Sequence, residues 1–151
     1  TRKTLPGYRI LEKMAVRHGG GHNHRMSLSD GILLKENHIA VAGGLGKAIQ
    51  KIQAEKTSEI TVEVKNLQEV QEAIEYKVGR LLLDNMSLDD MLTAVKLCPR
   101  GMLTEASGNM NLQRVKSVAE TGVDYISVGA ITHSAPCADL SLLFEWKRGP
   151  L

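Results

Sequence analysis

Aromatic residues are nearly missing from this 151-residue chain, which has one Phe (Phe144), one Trp (Trp146) and three Tyr. A core made almost without them must be built from Leu, Ile, Val, Ala and Met, a composition that suits buried strands flanked by helices. The same scarcity removes any platform on which single-stranded bases could stack. Cysteine is also sparse. Cys98 and Cys137 stand far apart, in neither a CxxC nor a secreted-scaffold spacing, and read as reduced thiols of a cytoplasmic protein. No apolar run approaches the roughly 20 residues of a membrane span, and no signal peptide is visible, so no membrane partner is expected. Formal charge is only +2 and dispersed, which gives no nucleic-acid footprint. No linker-like or low-complexity segment divides the chain. With 42% hydrophobic and 24% charged residues, residues 1–151 are expected to form one domain with a real core.

What is present is a regular alternation. Strand-length apolar runs occupy residues 31–38 (GILLKENH), 59–64 (EITVEV), 79–85 (GRLLLDN), 102–107 (MLTEAS) and 124–130 (DYISVGA). Between them lie helix-period stretches. Residues 43–56 place Leu45, Ile49 and Ile52 on one face, and residues 66–77 begin at an Asn N-cap and carry Leu67, Val70 and Ile74. A third helix starts after Ser87 with Leu88, Met91, Leu92 and Val95 inward, and a fourth runs through NLQRVKSVAETG to stop at Gly122. Five βα units follow, and apolar strands such as LLLD point to a parallel sheet buried on both faces. A doubly wound sheet and a (β/α) barrel both fit this pattern.

The strand ends carry the chemistry. Lys35 follows ILL, Glu63 lies near the end of ITVEV, Asp84 follows LLL, Glu105 and Ser107 follow ML, and Gly129 follows ISV. A barrel gathers all such ends around one mouth, where βα loops build active sites. Cations, carboxylates and glycine turns gathered there would suit a polyanionic substrate with a divalent metal. Glu63 and Asp84 fall on neighbouring strands if sequence order is spatial order, and could share an Mg²⁺ ion held mainly by substrate phosphates; Asp84 could equally cap the next helix. Around Gly108 and Gly129 the chain passes from strand through loop to helix, which favours a phosphate at the exposed N–H groups. The cation set is Arg2, Lys3, Arg25 and Lys35, of which Arg2 and Lys3 could be a solvated pair at a chain start. His22 and His24 in GGGHNHRM are spaced to share a metal, but nothing fixes a third ligand, so anion binding or a structural role is the preferred reading.

Taken in order, TRKTLPGYR, GGGHNHRMSLSDGILLKENHI, VEV, LLLDN, EASGN, TGVDYISVGAITHSAP and DLSLLF resemble the catalytic domain of the quinolinate phosphoribosyltransferase family. The resemblance runs from Thr1 to Phe144, and the Thr-Arg-Lys-Thr and His-Asn-His-Arg blocks are its most specific parts. It implies an incomplete or open parallel (β/α) barrel, TIM-like, lacking the first strand and the family's N-terminal sandwich domain, within a longer two-domain chain. It also implies an Mg²⁺-dependent, cytoplasmic enzyme that joins quinolinate to phosphoribosyl pyrophosphate with loss of pyrophosphate and CO₂. The full-length form would be a homodimer or higher oligomer in which a partner copy covers the site. Carried over by position, Arg2, Lys3, Thr4, His24, Arg25 and Lys35 line the quinolinate and pyrophosphate pocket. Glu63 and Asp84 serve the ribose hydroxyls and Mg²⁺, and Lys3 and Lys35 join them as the catalytic set. Ser107, Gly108, Asn109 and Gly129, with His133 beside them, cradle the 5′-phosphate. Asn109 stands where that family commonly has Gly, and Asn tolerates left-handed backbone. Two alternatives share this scaffold: a related pyrophosphorylase-like protein associated with molybdenum transport, and a truncated, catalytically silent phosphate-binding barrel.

Overall fold

The computed structural model describes residues 3–55 and 60–145. The expectations for Arg2, and for the boundaries at Lys56 and Glu59, therefore lie outside the described residues. Five parallel strands, β1 (Ile32–Leu34), β2 (Ile60–Val64), β3 (Arg80–Asp84), β4 (Leu103–Ser107) and β5 (Tyr125–Ile126), form one sheet in the order β1-β2-β3-β4-β5. Sequence order is spatial order, with no reversal of the kind that makes a doubly wound sheet. The sheet is barrel-like and open, with β1 and β5 as its two edges.

Alternation along the strands sorts the residues onto two faces. Leu34, Val62, Val64, Leu81, Leu83 and Ala106 pack against the helices α3 (Leu45–Ala54), α4 (Leu67–Glu75), α5 (Leu88–Leu97) and α6 (Leu112–Ala119) through Ile49, Val70, Met91 and Val118. The opposite face carries Leu33, Glu63, Leu82, Asp84, Glu105 and Ser107. Glu63, Leu82, Glu105 and Tyr125 form one row across β2 to β5, and Asp84 and Ser107 form the start of the next, nearer the strand ends. The register thus turns separate sequence motifs into neighbours.

Several elements differ from the sequence expectation. Residues 31–38 do not form one strand: β1 ends at Leu34, Lys35 caps α2 (Glu36–Ala42), and Gly43 in left-handed geometry ends that helix. The ladder to β2 has only three paired positions, and the chain turns away once pairing stops. Residues 124–130 likewise give only the two-residue β5, an edge strand paired on one side, before Gly129 leads into α7 (Ala130–His133). Helix α1 (Arg9–His18) and the 3₁₀ turn Leu28–Asp30 were not foreshadowed by apolar spacing. On α5, Met91 and Ala94 are buried, whereas Leu88 and Leu92 are exposed, because the sheet meets the Met91–Ala94 side of that helix. The expected caps hold: Asn66 accepts from Glu69 N–H and Ser87 from Asp90 N–H.

Candidate active site

The strand ends and the loops that follow them enclose a cleft of about 880 Å³. Lys3, His24, Arg25, Lys35, Glu63 and Asp84 line it together with Ser107, Gly108, Asn109, Gly129 and His133. Of the residues that the family resemblance assigned to the site, the cleft gathers all but two. Arg2 lies outside the described residues. Thr4 does not line the cleft; its Oγ1 accepts a hydrogen bond from Arg9 Nε (3.1 Å), so it belongs to the packing of α1.

On the β1 to β3 side the groups are paired. The Lys35 ammonium forms an ion pair with Glu63, a carboxylate only 9% exposed on the cleft face of β2. The Lys35 N–H donates to His38 Nδ1 (3.1 Å), so His38 caps α2 and stands as a structural histidine. Ser87, not Asp84, caps the helix after β3, leaving the Asp84 carboxylate in the cleft. Asp84 Oδ1 accepts from Asn85 Nδ2 (3.0 Å), and Asn85 Oδ1 accepts from Asn109 Nδ2 (2.9 Å). That relay ties the loop after β4 to the acid at the end of β3. At the rim Lys65 pairs with Glu36, and this bond holds the Glu36 carboxyl below its usual range and raises Lys65.

The histidine turn resolves differently for each histidine. His24 Nδ1 accepts the Arg25 N–H (2.8 Å), and its Nε2 stands 3.5 Å from Glu105 Oε1. Both ring nitrogens face protein groups while the side chain lines the cleft. Burial is the main reason its pKa is lowered; the Glu105 charge opposes the shift, and Arg25 and Lys13 reinforce it. Arg25 donates from Nη1 to Gly31 O (2.9 Å) while lining the cleft. His22 is exposed and borders a separate hollow with Arg17 and Asn23. Among the described residues no group of three His, Cys, Asp or Glu is arranged to hold a metal.

In the loops after β4 and β5 each glycine lies directly against a neighbouring side chain. Gly108 has φ +93, and a Cβ there would lie 2.3 Å from Asn85 Oδ1. A Cβ on Gly129 would lie 2.7 Å from His133 Nε2, so His133 lies directly over that turn. Asn109 adopts left-handed backbone (φ 49), as an Asn can. Asn111 caps α6 by accepting from Arg114 N–H (2.9 Å), and Arg114 Nη2 donates to Met86 O (3.0 Å), which braces α6 against the loop after β3.

Sequence reasoning missed two kinds of residue. Asn85 and Ser127 line the cleft; each directly follows or neighbours a strand end, a signal that was available. Glu105 was noted at a strand end, but its task was not. It is 1% exposed and accepts from Arg80 Nη1 (3.2 Å) and from Ser127 Oγ. Arg80 in turn lies 4.6 Å over the Tyr125 ring. A buried carboxylate needs such partners, and no local sequence pattern names partners on other strands.

Comparison with known proteins gives a consistent result. The family described as "Quinolinate phosphoribosyl transferase, C-terminal domain" matches residues 1–143. A probable carboxylating nicotinate-nucleotide pyrophosphorylase of Synechocystis is 46% identical over 147 residues, covering 94% of this chain and 50% of that protein. The Bacillus subtilis protein of the same name is 43% identical over 144 residues. The solved structure of the Francisella tularensis nicotinate-nucleotide pyrophosphorylase superposes with a TM-score of 0.85 at 46% identity, covering 90% of this chain and 49% of that one. The chain spans about half the length of the curated relatives it matches. A thiamine phosphate pyrophosphorylase from Pyrococcus furiosus, at 19% identity and TM-score 0.53, shares the fold alone.

Proposed function

Because the chain belongs to the quinolinate phosphoribosyl transferase family, as its C-terminal domain, we propose that its cleft binds quinolinate and phosphoribosyl pyrophosphate and joins them. The observation that carries this reading is one cleft lined by Lys3, Arg25 and Lys35, by Glu63 and Asp84, and by the loops at Gly108 and Gly129. The names of the relatives do not favour the silent-barrel or molybdenum-transport alternatives.

In this reading Arg25, Lys35 and Lys3 receive the carboxylates of quinolinate and the departing pyrophosphate, with Arg2 expected beside them. Fixed cations in a site that excludes water bind such groups more strongly than cations in bulk solvent do. The bond from ribose C1 to the pyrophosphate oxygen breaks, and its electron pair leaves with pyrophosphate. The quinolinate nitrogen forms the new bond to C1. Charge at C1 is oxocarbenium-like at that point, so Glu63 and Asp84 stabilise it and hold the ribose hydroxyls. The ring nitrogen is then cationic, and when the carbon–carboxylate bond breaks its electron pair is drawn toward that ring before a proton replaces CO₂. Nicotinate mononucleotide results. The protein supplies position and electrostatics, and no covalent nucleophile is required. Ser107, Gly108, Asn109 and Gly129, at the entrance of α6 and α7, suit the 5′-phosphate, with His133 alongside.

Glu63 and Asp84 fit Mg²⁺ only as supplementary ligands. Among the described residues no third His, Cys, Asp or Glu joins this pair, and two carboxylates on adjacent strands would suit an ion that arrives on substrate phosphates. When bound, Mg²⁺ neutralises charge on the leaving pyrophosphate. We also infer a cytoplasmic protein whose full-length form works as a homodimer or higher homo-oligomer. Free Cys98 and Cys137 and the open edges of the sheet support that reading. The test is incubation of the protein at its natural length with quinolinate, phosphoribosyl pyrophosphate and Mg²⁺. Nicotinate mononucleotide, pyrophosphate and CO₂ are expected in equal amounts, and their absence would overturn the proposal.

A further inference from the structure

Helix α1 is inverted in character. Ile10, Leu11 and Met14 are exposed, while Lys13 is 3% exposed. No carboxylate among the described residues forms an ion pair with Lys13. Its Nζ donates instead to the carbonyl oxygens of His24 (2.9 Å) and Arg25 (3.1 Å). One turn earlier on the same helix, Arg9 Nη1 reaches the next carbonyl, that of Met26 (3.4 Å). Asn23 closes the contact by donating from Nδ2 to Lys13 O (2.9 Å). Three consecutive carbonyls of the histidine turn, which runs from α1 to the 3₁₀ turn Leu28–Asp30, are thus drawn toward α1, and the His24 and Arg25 of that turn line the cleft.

We propose that Lys13 is a positioning residue for the reaction inferred above: its buried ammonium holds the carbonyls of His24 and Arg25 away from the cleft, so that the turn presents cationic side chains to quinolinate. The inference rests on the quinolinate reading and specifies how that site is kept receptive to an anion. Carbonyl oxygens are the negative ends of peptide dipoles, and turned toward the cleft they would repel a dicarboxylate. The turn's N–H groups are committed elsewhere, Arg25 N–H to His24 Nδ1 and Met26 N–H to Asp30 Oδ2 (2.7 Å), so the direction of the carbonyls rests on the donors that α1 offers. Stability alone is a poor reason to bury this group. Burial, reinforced by the Arg9 charge and partly opposed by Asp30, lowers the Lys13 pKa. The fold therefore stabilises the ammonium less than water does, and the two carbonyl partners offset that cost.

The test compares wild type with Lys13→Met in steady-state kinetics at natural length, varying each substrate in turn. The expected result is a quinolinate KM raised by about tenfold or more, a kcat changed far less, and an unchanged KM for phosphoribosyl pyrophosphate. A merely structural role would reduce the active fraction, lowering kcat with both KM values intact, and that outcome overturns the proposal; so does an unchanged quinolinate KM. If Lys13→Met does not fold, Lys13→Gln, which keeps a donor without the charge, carries the same comparison with the same expected direction. A wild type that makes no nicotinate mononucleotide would instead overturn the functional reading on which this rests.

Discussion

Lys35 leaves the end of β1 and meets Glu63 on the next strand, a half-exposed cation against a carboxylate only 9% exposed. Each group fixes the other. Truncating Lys35 removes a proposed quinolinate contact and also leaves Glu63 unpaired, so Lys35→Ala should weaken quinolinate binding by about 2 to 5 kcal/mol, the range for breaking a desolvated charge pair. Calorimetry on the folded variant checks this, and unchanged affinity would remove Lys35 from the pocket. His24 offers a second prediction. Its folded-state pKa is depressed, mainly by burial, so the fold favours the neutral ring. Its contribution is present above the unfolded value of about 6.5 and is lost as pH falls from there through the lower folded value. NMR titration should place the His24 midpoint below that of an unstructured histidine; a midpoint at or above it would contradict the geometry. At this scale the candidate site was largely legible, because cations and acids directly after apolar runs advertise a strand end. Lys13 and Glu105 were not legible in their tasks. A lysine inside a helix looks solvated until tertiary structure buries it, and Glu105 depends on Arg80, Ser127 and His24 from three other segments.

Elements are held by caps and by one apolar face each. The α5 N-terminus illustrates both, with Ser87 accepting from Asp90 N–H and Met91 fully buried against the sheet. Ser87→Ala should lower stability by about 1 kcal/mol, and Met91→Ala by about 2 to 5 kcal/mol through lost burial and a residual cavity. Denaturant titration distinguishes them, and equal effects would mean that this helix is not seated as described. Long elements with a clean stripe, such as α3 and α4, follow from periodicity. The short or inverted ones do not. Helix α2 is hidden because β1, its cap and the helix run together within a few residues, and α1 is hidden because its exposed side carries Ile10, Leu11 and Met14.

Across the whole molecule, the decisive property is that five strands run parallel in sequence order. That arrangement places all five C-terminal ends on one side and makes one cleft from residues spread between Lys3 and His133. Alternation of strands and helices allowed this fold, but it allowed a doubly wound sheet as well. The chemistry at the strand ends, more than their apolarity, pointed to a common mouth. The sharpest measurement is a structure of the natural-length protein with nicotinate mononucleotide bound. The account predicts the 5′-phosphate at the Gly108 and Gly129 loops, the ribose hydroxyls toward Glu63 and Asp84, and the pyridine carboxylate toward Arg25 and Lys35. A nucleotide bound outside this cleft, or with its phosphate among Arg25 and Lys35, would contradict it.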